Sequence, residues 1–126
     1  MKKQLEYLSM RRNIMNLAIQ EAERSGQNFK HGAVIVRSGK ILSTGHNKVT
    51  TRCPSHMYSI HAEMAAIKQS SKQVCDSHLY VVRINSQGLA DSRPCCMCRR
   101  FMKIHGISRV YYSTGNEEEF ESMYLC

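Results

Sequence analysis

The residue types best suited to chemistry stand in two short segments, His61-Ala62-Glu63 and Pro94-Cys95-Cys96-Met97-Cys98. Joined, they read H-x-E followed by P-C-x-x-C. One imidazole, His61, and two thiolates, Cys95 and Cys98, match three ligands of a tetrahedral Zn²⁺, and a fourth position left to water marks a catalytic rather than a closed structural site. Zinc acting as a Lewis acid lowers the pKa of water from near 16 to roughly 7, so hydroxide becomes available as a nucleophile at neutral pH. Glu63 is then the spare acid. It can take the water's proton and later deliver it to a leaving group. The overall chemistry is metal-assisted hydrolysis with a carboxylate as proton carrier.

Local structure must bring these groups together. Cys95 and Cys98 are three positions apart, on one face of a helical turn. Pro94 fixes extended backbone ahead of that helix, and the positive end of a helix favours thiolate over thiol. His61 begins residues 61–68, which are rich in helix formers. Other arrangements use the same residues. Cys96, Cys53 or His56 as a fourth ligand would close the site into a structural zinc and leave Glu63 without a role. Cys53 and His56 alone form a C-x-x-H that suits a second, structural zinc, although most such pairs bind nothing.

The 126 residues predict a single domain spanning 1–126, large enough to bury a core. Met1 to Glu6 lack the apolar run of a signal peptide, and no segment has the length of a transmembrane helix, so a cytoplasmic protein without a membrane partner is expected. Three of the six cysteines fall within four positions, where mutual pairing is poor, which favours reduced thiols and metal ligation over disulfides. The net charge of +8 is uneven: residues 1–52 hold ten Lys/Arg against three Asp/Glu, and residues 53–126 hold eight against seven. A basic face attracts phosphate and suits a nucleotide or a nucleic acid equally. Arg11, Arg12 and Arg24 also fit the solvated side of an amphipathic helix.

Met10, Ile14, Leu17, Ala18 and Ala22 recur at helical spacing, and Ser25-Gly26 reads as the helix stop. Residues 33–37 and 40–45 are strand-like and joined by Ser38-Gly39, a hairpin turn. Residues 46–59 read as irregular. A helix from His61, a strand over 79–84, a loop over 85–93, a helix over 95–105 closed by Gly106 and a strand over 110–113 follow. The order is αββαβαβ, which predicts a layered α/β domain with its later strands parallel.

The two motifs, with this element order, resemble the zinc-dependent cytidine and deoxycytidylate deaminase superfamily from the first helix to Ser113. The resemblance implies a three-layer cytidine-deaminase-like fold: a mixed sheet of four to five strands flanked by helices, both ligand helices on one face. It implies Zn²⁺ as cofactor, His61, Cys95 and Cys98 as its ligands and Glu63 as the catalytic acid/base. A His as first ligand is unlike the small free-cytidine deaminases and similar to the branch of deoxycytidylate, cytosine, guanine and tRNA-adenosine deaminases. In that branch the Asn of a G-x-N contacts the substrate, which points to Asn47 of Gly45-His46-Asn47; Gly-x-Asn is also ordinary turn chemistry. The backbone N–H of Ala62 is a second substrate contact by resemblance, in a first helical turn where such groups lack internal partners.

Residues 61–67, 79–82 and 106–113 look most like deoxycytidylate-type proteins, so a small nucleotide or nucleoside is the expected substrate. An RNA- or DNA-editing deaminase is the alternative; it needs aromatic groups to stack a flipped base, and the chain has no Trp, three Phe and six Tyr. A non-catalytic zinc protein of the same fold is the third reading. Residues 83–93 are longer than the usual link between third strand and P-C-x-x-C, and Arg83 and Arg93 there suit a phosphate. Many relatives continue into a fifth strand and another helix. Residues 114–126, with Glu117-Glu118-Glu119, look instead like one short helix, and a sheet edge thus shortened needs cover from that helix or from a second subunit, which fits a homo-oligomer.

Overall fold

The computed structural model describes the backbone of residues 2–53, 56–115 and 120–125. A long helix α1 (Lys2–Glu23) precedes strands β1 (Lys30–Arg37), β2 (Lys40–His46), β3 (Lys48–Cys53) and β4 (His56–Ile60). Helix α2 (Ala62–Gln69), strands β5 (His78–Asn85) and β6 (Gly88–Ala90), helix α3 (Cys96–Ile104) and strands β7 (Arg109–Ser113) and β8 (Phe120–Tyr124) complete the order. The main sheet runs β2-β1-β5-β7-β8, with β6 paired to β5, and β3 and β4 form a separate ribbon. β1 is antiparallel to both neighbours, whereas β5 and β7 are parallel and linked through α3.

Strands buried on both faces read as continuous apolar runs, and β1 and β5 do so. On one face Ile14, Ala18 and Ala22 of α1 pack on Val34, Val36, Tyr80, Val82 and Tyr111. On the other, Ala62, Ala66 and Ile67 of α2 and Cys98 and Met102 of α3 cover Ala33, Ile35, Leu79, Val81 and Val110. The three-layer mixed α/β fold is as expected, and both ligand helices share one face.

Four local expectations need correction. The tail is a strand, β8, antiparallel to β7, not a helix; it completes a main path of five strands, within the four to five expected, with the short β6 beside β5 as a sixth. The period of β8 is two, with Phe120 packed on the α1 face and Met123 and Leu125 on the other. Residues 46–59 are not irregular but include the β3–β4 ribbon, and residues 85–93 include β6. Helix α1 ends at Glu23 in a tight turn, Arg24 N–H to Glu21 and Ser25 N–H to Ala22, without a left-handed Gly26. The acidic residues 117–119 and the side chains of Cys53 and His56 lie outside the described residues, and so does the second-zinc expectation.

Two other punctuation signals hold. Ser38 and Gly39 both have positive φ (52° and 76°), as a tight hairpin turn requires. Gly106 (φ 83°) ends α3 with Gly106 N–H to Lys103 and Ile107 N–H to Met102, the Schellman pattern. No described helix is long and apolar enough to cross a membrane.

Candidate active site

Close packing of α2 on β2 sets the floor of the site. A Cβ on Gly45 would stand 2.4 Å from the backbone nitrogen of Ala66, so only glycine lets the helix ride this near the strand. Ser43 Oγ donates to the Ala66 carbonyl at 2.7 Å and fixes the same contact. Helix α2 thus lies directly on the end of β2, and His61, Glu63 and Asn47 line the same cavity.

His61 and Cys95 occupy equivalent places. Each is the extended N-cap of its helix, φ −70°/ψ 153° and φ −71°/ψ 167°, and each carbonyl accepts the first helical hydrogen bond, from Ala65 and Arg99. Neither side chain caps its own helix. Both are turned toward Cys98, whose Sγ lies 3.1 Å from His61 Nδ1, with Cys95 Sγ 3.8 Å from that nitrogen. All three donor atoms fall within 4.8 Å of one another. Tetrahedral zinc with bonds of about 2.0–2.3 Å keeps its ligands roughly 3.5–3.8 Å apart, so the trio fits that ion after small adjustments. Cys96 is exposed and, among the described residues, is not gathered with the trio. Burial, then the nearby Glu63 and Cys95 charges, push the Cys98 thiol well up, so the metal-free cluster holds a proton that a bound cation would displace.

Glu63 is 5 % exposed and on the second position of α2. Burial raises its carboxyl above the ordinary range, against the opposing pull of its own backbone N–H and of His61. Burial thus favours the neutral acid more than at an exposed carboxyl, and a group that takes up and returns protons suits a proton shuttle.

A cavity of about 390 Å³ opens from this floor, lined by Glu63, His61 and Cys95, by Asn47, and at its mouth by residues including Phe29, Arg83 and Arg93. Asn47 is buried, and Oδ1 accepts the His31 N–H at 2.8 Å while Nδ2 donates to the Phe29 carbonyl and to Gln27 Oε1. The expected turn asparagine and the expected cavity residue are therefore the same residue. Ala62 is buried at the first helical position and does not line the cavity. Arg83 stacks over Phe29, 4.9 Å to the ring centroid, with Nε buried and unpartnered. Among the described residues neither Arg83 nor Arg93 is in an ion pair. His31 has its pKa lowered, by burial first and by Arg83 second.

Sequence reading missed the pair that anchors the segment leading to Pro94. Ser92 and Ser113 are buried; Ser92 Oγ donates to Val81 O at 2.8 Å, and Ser113 N–H donates to Ser92 Oγ at 2.7 Å. Ser113 Oγ donates to Ala90 O at 2.7 Å, and Ser92 N–H reaches Ser113 O at 2.9 Å. The residues just before Pro94 are thereby fastened to the end of β7. Serine carries no periodic signal, and only burial distinguishes these two. Gln27, Phe29 and His31 were missed for a similar reason: they approach the site from the α1–β1 connection and the start of β1, far from either motif.

Comparison with known proteins agrees with this geometry. The family model described as the cytidine and deoxycytidylate deaminase zinc-binding region matches residues 8–114. A tRNA-specific adenosine deaminase of Streptococcus pyogenes serotype M18 is 32 % identical over 111 residues, covering 82 % of this chain and 62 % of that protein. The Aquifex aeolicus protein of the same name is 29 % identical over 102 residues, with 79 % and 62 % covered. The chain spans about three-fifths of the length of these curated relatives. Among solved structures, the apo deoxycytidylate (dCMP) deaminase of cyanophage S-TIM5 has a TM-score of 0.65 at 25 % identity, covering 84 % of this chain and 83 % of that one. Cytidine deaminase from Burkholderia pseudomallei shares the fold, with a TM-score of 0.67 at 20 % identity over 90 % and 91 % of the two chains.

Proposed function

Since this chain belongs to the zinc-binding cytidine and deoxycytidylate deaminase family, we propose that it is a hydrolytic deaminase acting on a cytosine nucleotide or nucleoside. The observation that carries the reading is the buried, protonatable Glu63 beside the His61–Cys95–Cys98 trio at the floor of one cavity. Zinc held by the trio supplies the Lewis acidity that makes water a nucleophile near neutral pH. Glu63 takes one proton of the water and passes it to the ring nitrogen as the water oxygen bonds to the amidine carbon, then moves the remaining hydroxyl proton to the amine, whose C–N bond breaks to release ammonia and leave a carbonyl. Asn47, which lines the cavity, holds the substrate against this floor. Arg83 and Arg93 meet a 5′-phosphate at the mouth, an assignment supported by their lack of a carboxylate partner among the described residues and by the S-TIM5 dCMP deaminase relationship.

A second reading, adenosine deamination in RNA, is favoured by the Streptococcus pyogenes relationship and by Phe29, 62 % exposed and paired with Arg83, an aromatic and guanidinium pair of the kind that stacks bases. The test is ammonia release from deoxycytidine monophosphate, deoxycytidine, cytidine, cytosine, guanine, adenosine and a short RNA hairpin with an unpaired adenosine. Turnover of the monophosphate, abolished in Glu63→Ala, is expected. Turnover of the hairpin alone would replace the first reading by the second, and silence on all of them by a zinc-loaded protein would overturn both.

A further inference from the structure

His31 lines the cavity and has no part in the reaction described above. Side chains alternate along β1, so His31 shares a face of the sheet with Ala33 and Ile35, which pack beneath α2 and α3. Its register partner on β5 is Arg83, and cross-strand partners point to the same face. The ring therefore stands on the metal side of the sheet, one step beyond the buried Ala33 and toward the arginine mouth. It is held in place from two sides. The ring hydrogen-bonds the Phe29 carbonyl, which also accepts from Asn47 Nδ2, and the backbone N–H of His31 donates to Asn47 Oδ1 at 2.8 Å. Burial and the Arg83 guanidinium both favour the neutral ring. A neutral imidazole has one N–H and one lone pair. With the N–H on the Phe29 carbonyl, the second nitrogen is an acceptor, and no other group among the described residues bonds the ring.

The chemistry of the substrate then selects the partner. Apart from its phosphate, deoxycytidine monophosphate has two donors: the exocyclic amine, which sits at the floor where it is replaced, and the 3′-hydroxyl. We infer that His31 reads the sugar: its second ring nitrogen accepts a hydrogen bond from the 3′-hydroxyl, while Arg83 and Arg93 take the phosphate. The inference rests on the deaminase reading above and narrows its substrate class to a free nucleotide or nucleoside. An internal residue of a DNA strand has its 3′ oxygen esterified and offers no proton there, and a free base offers no sugar. Either would cover the His31 lone pair without giving it a partner, and an acceptor buried unpaired penalises the wrong ligand more than a made bond rewards the right one.

The test compares deoxycytidine monophosphate with its 2′,3′-dideoxy analogue on zinc-loaded wild type, His31→Phe and His31→Gln. The readouts are kcat/KM for ammonia release, Kd by calorimetry and, in the wild type, the ¹⁵N resonances of the His31 ring. Wild type should favour the nucleotide with the 3′-hydroxyl about three- to tenfold, the value of an ordinary hydrogen bond. His31→Phe should bring that ratio near one, and His31→Gln, whose amide oxygen still accepts, should keep part of it. A packing defect would slow both substrates alike and leave the ratio where it was, so the ratio isolates the hydrogen bond. Saturation with the deoxynucleotide should move the resonance of the unprotonated ring nitrogen, and saturation with the dideoxy analogue should move it less. A ratio near one in wild type, an unaltered ratio in His31→Phe, or a ring nitrogen that responds alike to both ligands would overturn the inference. Absence of ammonia release counts against the deaminase reading alone, because Kd and the ring resonance still decide the role of His31, and absence of binding by either nucleotide overturns both.

Discussion

The floor and the mouth of the cavity are built differently. The floor is three donor atoms and one carboxylate, drawn from two short motifs at the starts of α2 and α3, and its key members Glu63 and Cys98 are buried. The mouth takes Phe29 from the connection after α1, Arg83 from β5 and Arg93 from the segment before α3, all partly or largely exposed. A metal demands fixed donors at fixed distances, which short local motifs supply, whereas a substrate's outer parts need only charge and area in roughly the right place. Reaction type therefore resides in the floor, and substrate identity in the mouth.

If that division is right, changes in the floor should be drastic and indifferent to substrate. Glu63→Gln should reduce turnover by at least about 10²–10⁴, the span of acid–base catalysis, with zinc content unaltered by metal analysis. Cys98→Ala should lose the metal and, with a buried position emptied, melt at lower temperature than Cys95→Ala, whose side chain is exposed. Equal metal loss with identical melting would blur the comparison.

Mouth substitutions should be milder and selective. Arg83→Ala or Arg93→Ala should raise KM for a phosphorylated substrate about tenfold or more, the value of a hydrogen bond to a charged group, and barely alter KM for the nucleoside. Equal effects on both substrates would remove the phosphate assignment.

The two regions should also separate in stability. Glu63 has a raised folded pKa, so in the metal-free protein its neutral form is favoured, and stability present at acid pH is lost as pH rises from its unfolded pKa toward the folded one. Glu63→Gln should then stabilise the metal-free protein at neutral pH by about 0.5–2 kcal/mol, as removal of a functional strain commonly does. His31 runs the opposite way. Its folded pKa is lowered, so its share of stability is complete above about 6.5 and falls with pH down to the folded value. His31→Gln should flatten that slope, a small effect read by melting temperature between pH 7 and 5.

Motif spacing made the floor legible: His61, Glu63, Cys95 and Cys98 needed no tertiary information, and Gly106 and Ser38-Gly39 announced their turns by residue type. Asn47 was legible as a position but not as a bonded one, because its partners Gln27, Phe29 and His31 are set by the path of the α1–β1 connection. The helix expected in the tail failed because an acidic run masked the two-residue alternation of Phe120 to Leu125. Ser92 and Ser113 were invisible for a different reason. A serine that fastens two backbones looks like any other serine until both backbones are seen.

Zinc content and ammonia release, measured on the same preparations of wild type and Glu63→Gln, test the central claim most directly. The account predicts one zinc per chain in both proteins and ammonia from the wild type alone. Loss of zinc in Glu63→Gln would make Glu63 a ligand rather than a proton carrier, and undiminished ammonia from a zinc-replete Glu63→Gln would place the chemistry elsewhere.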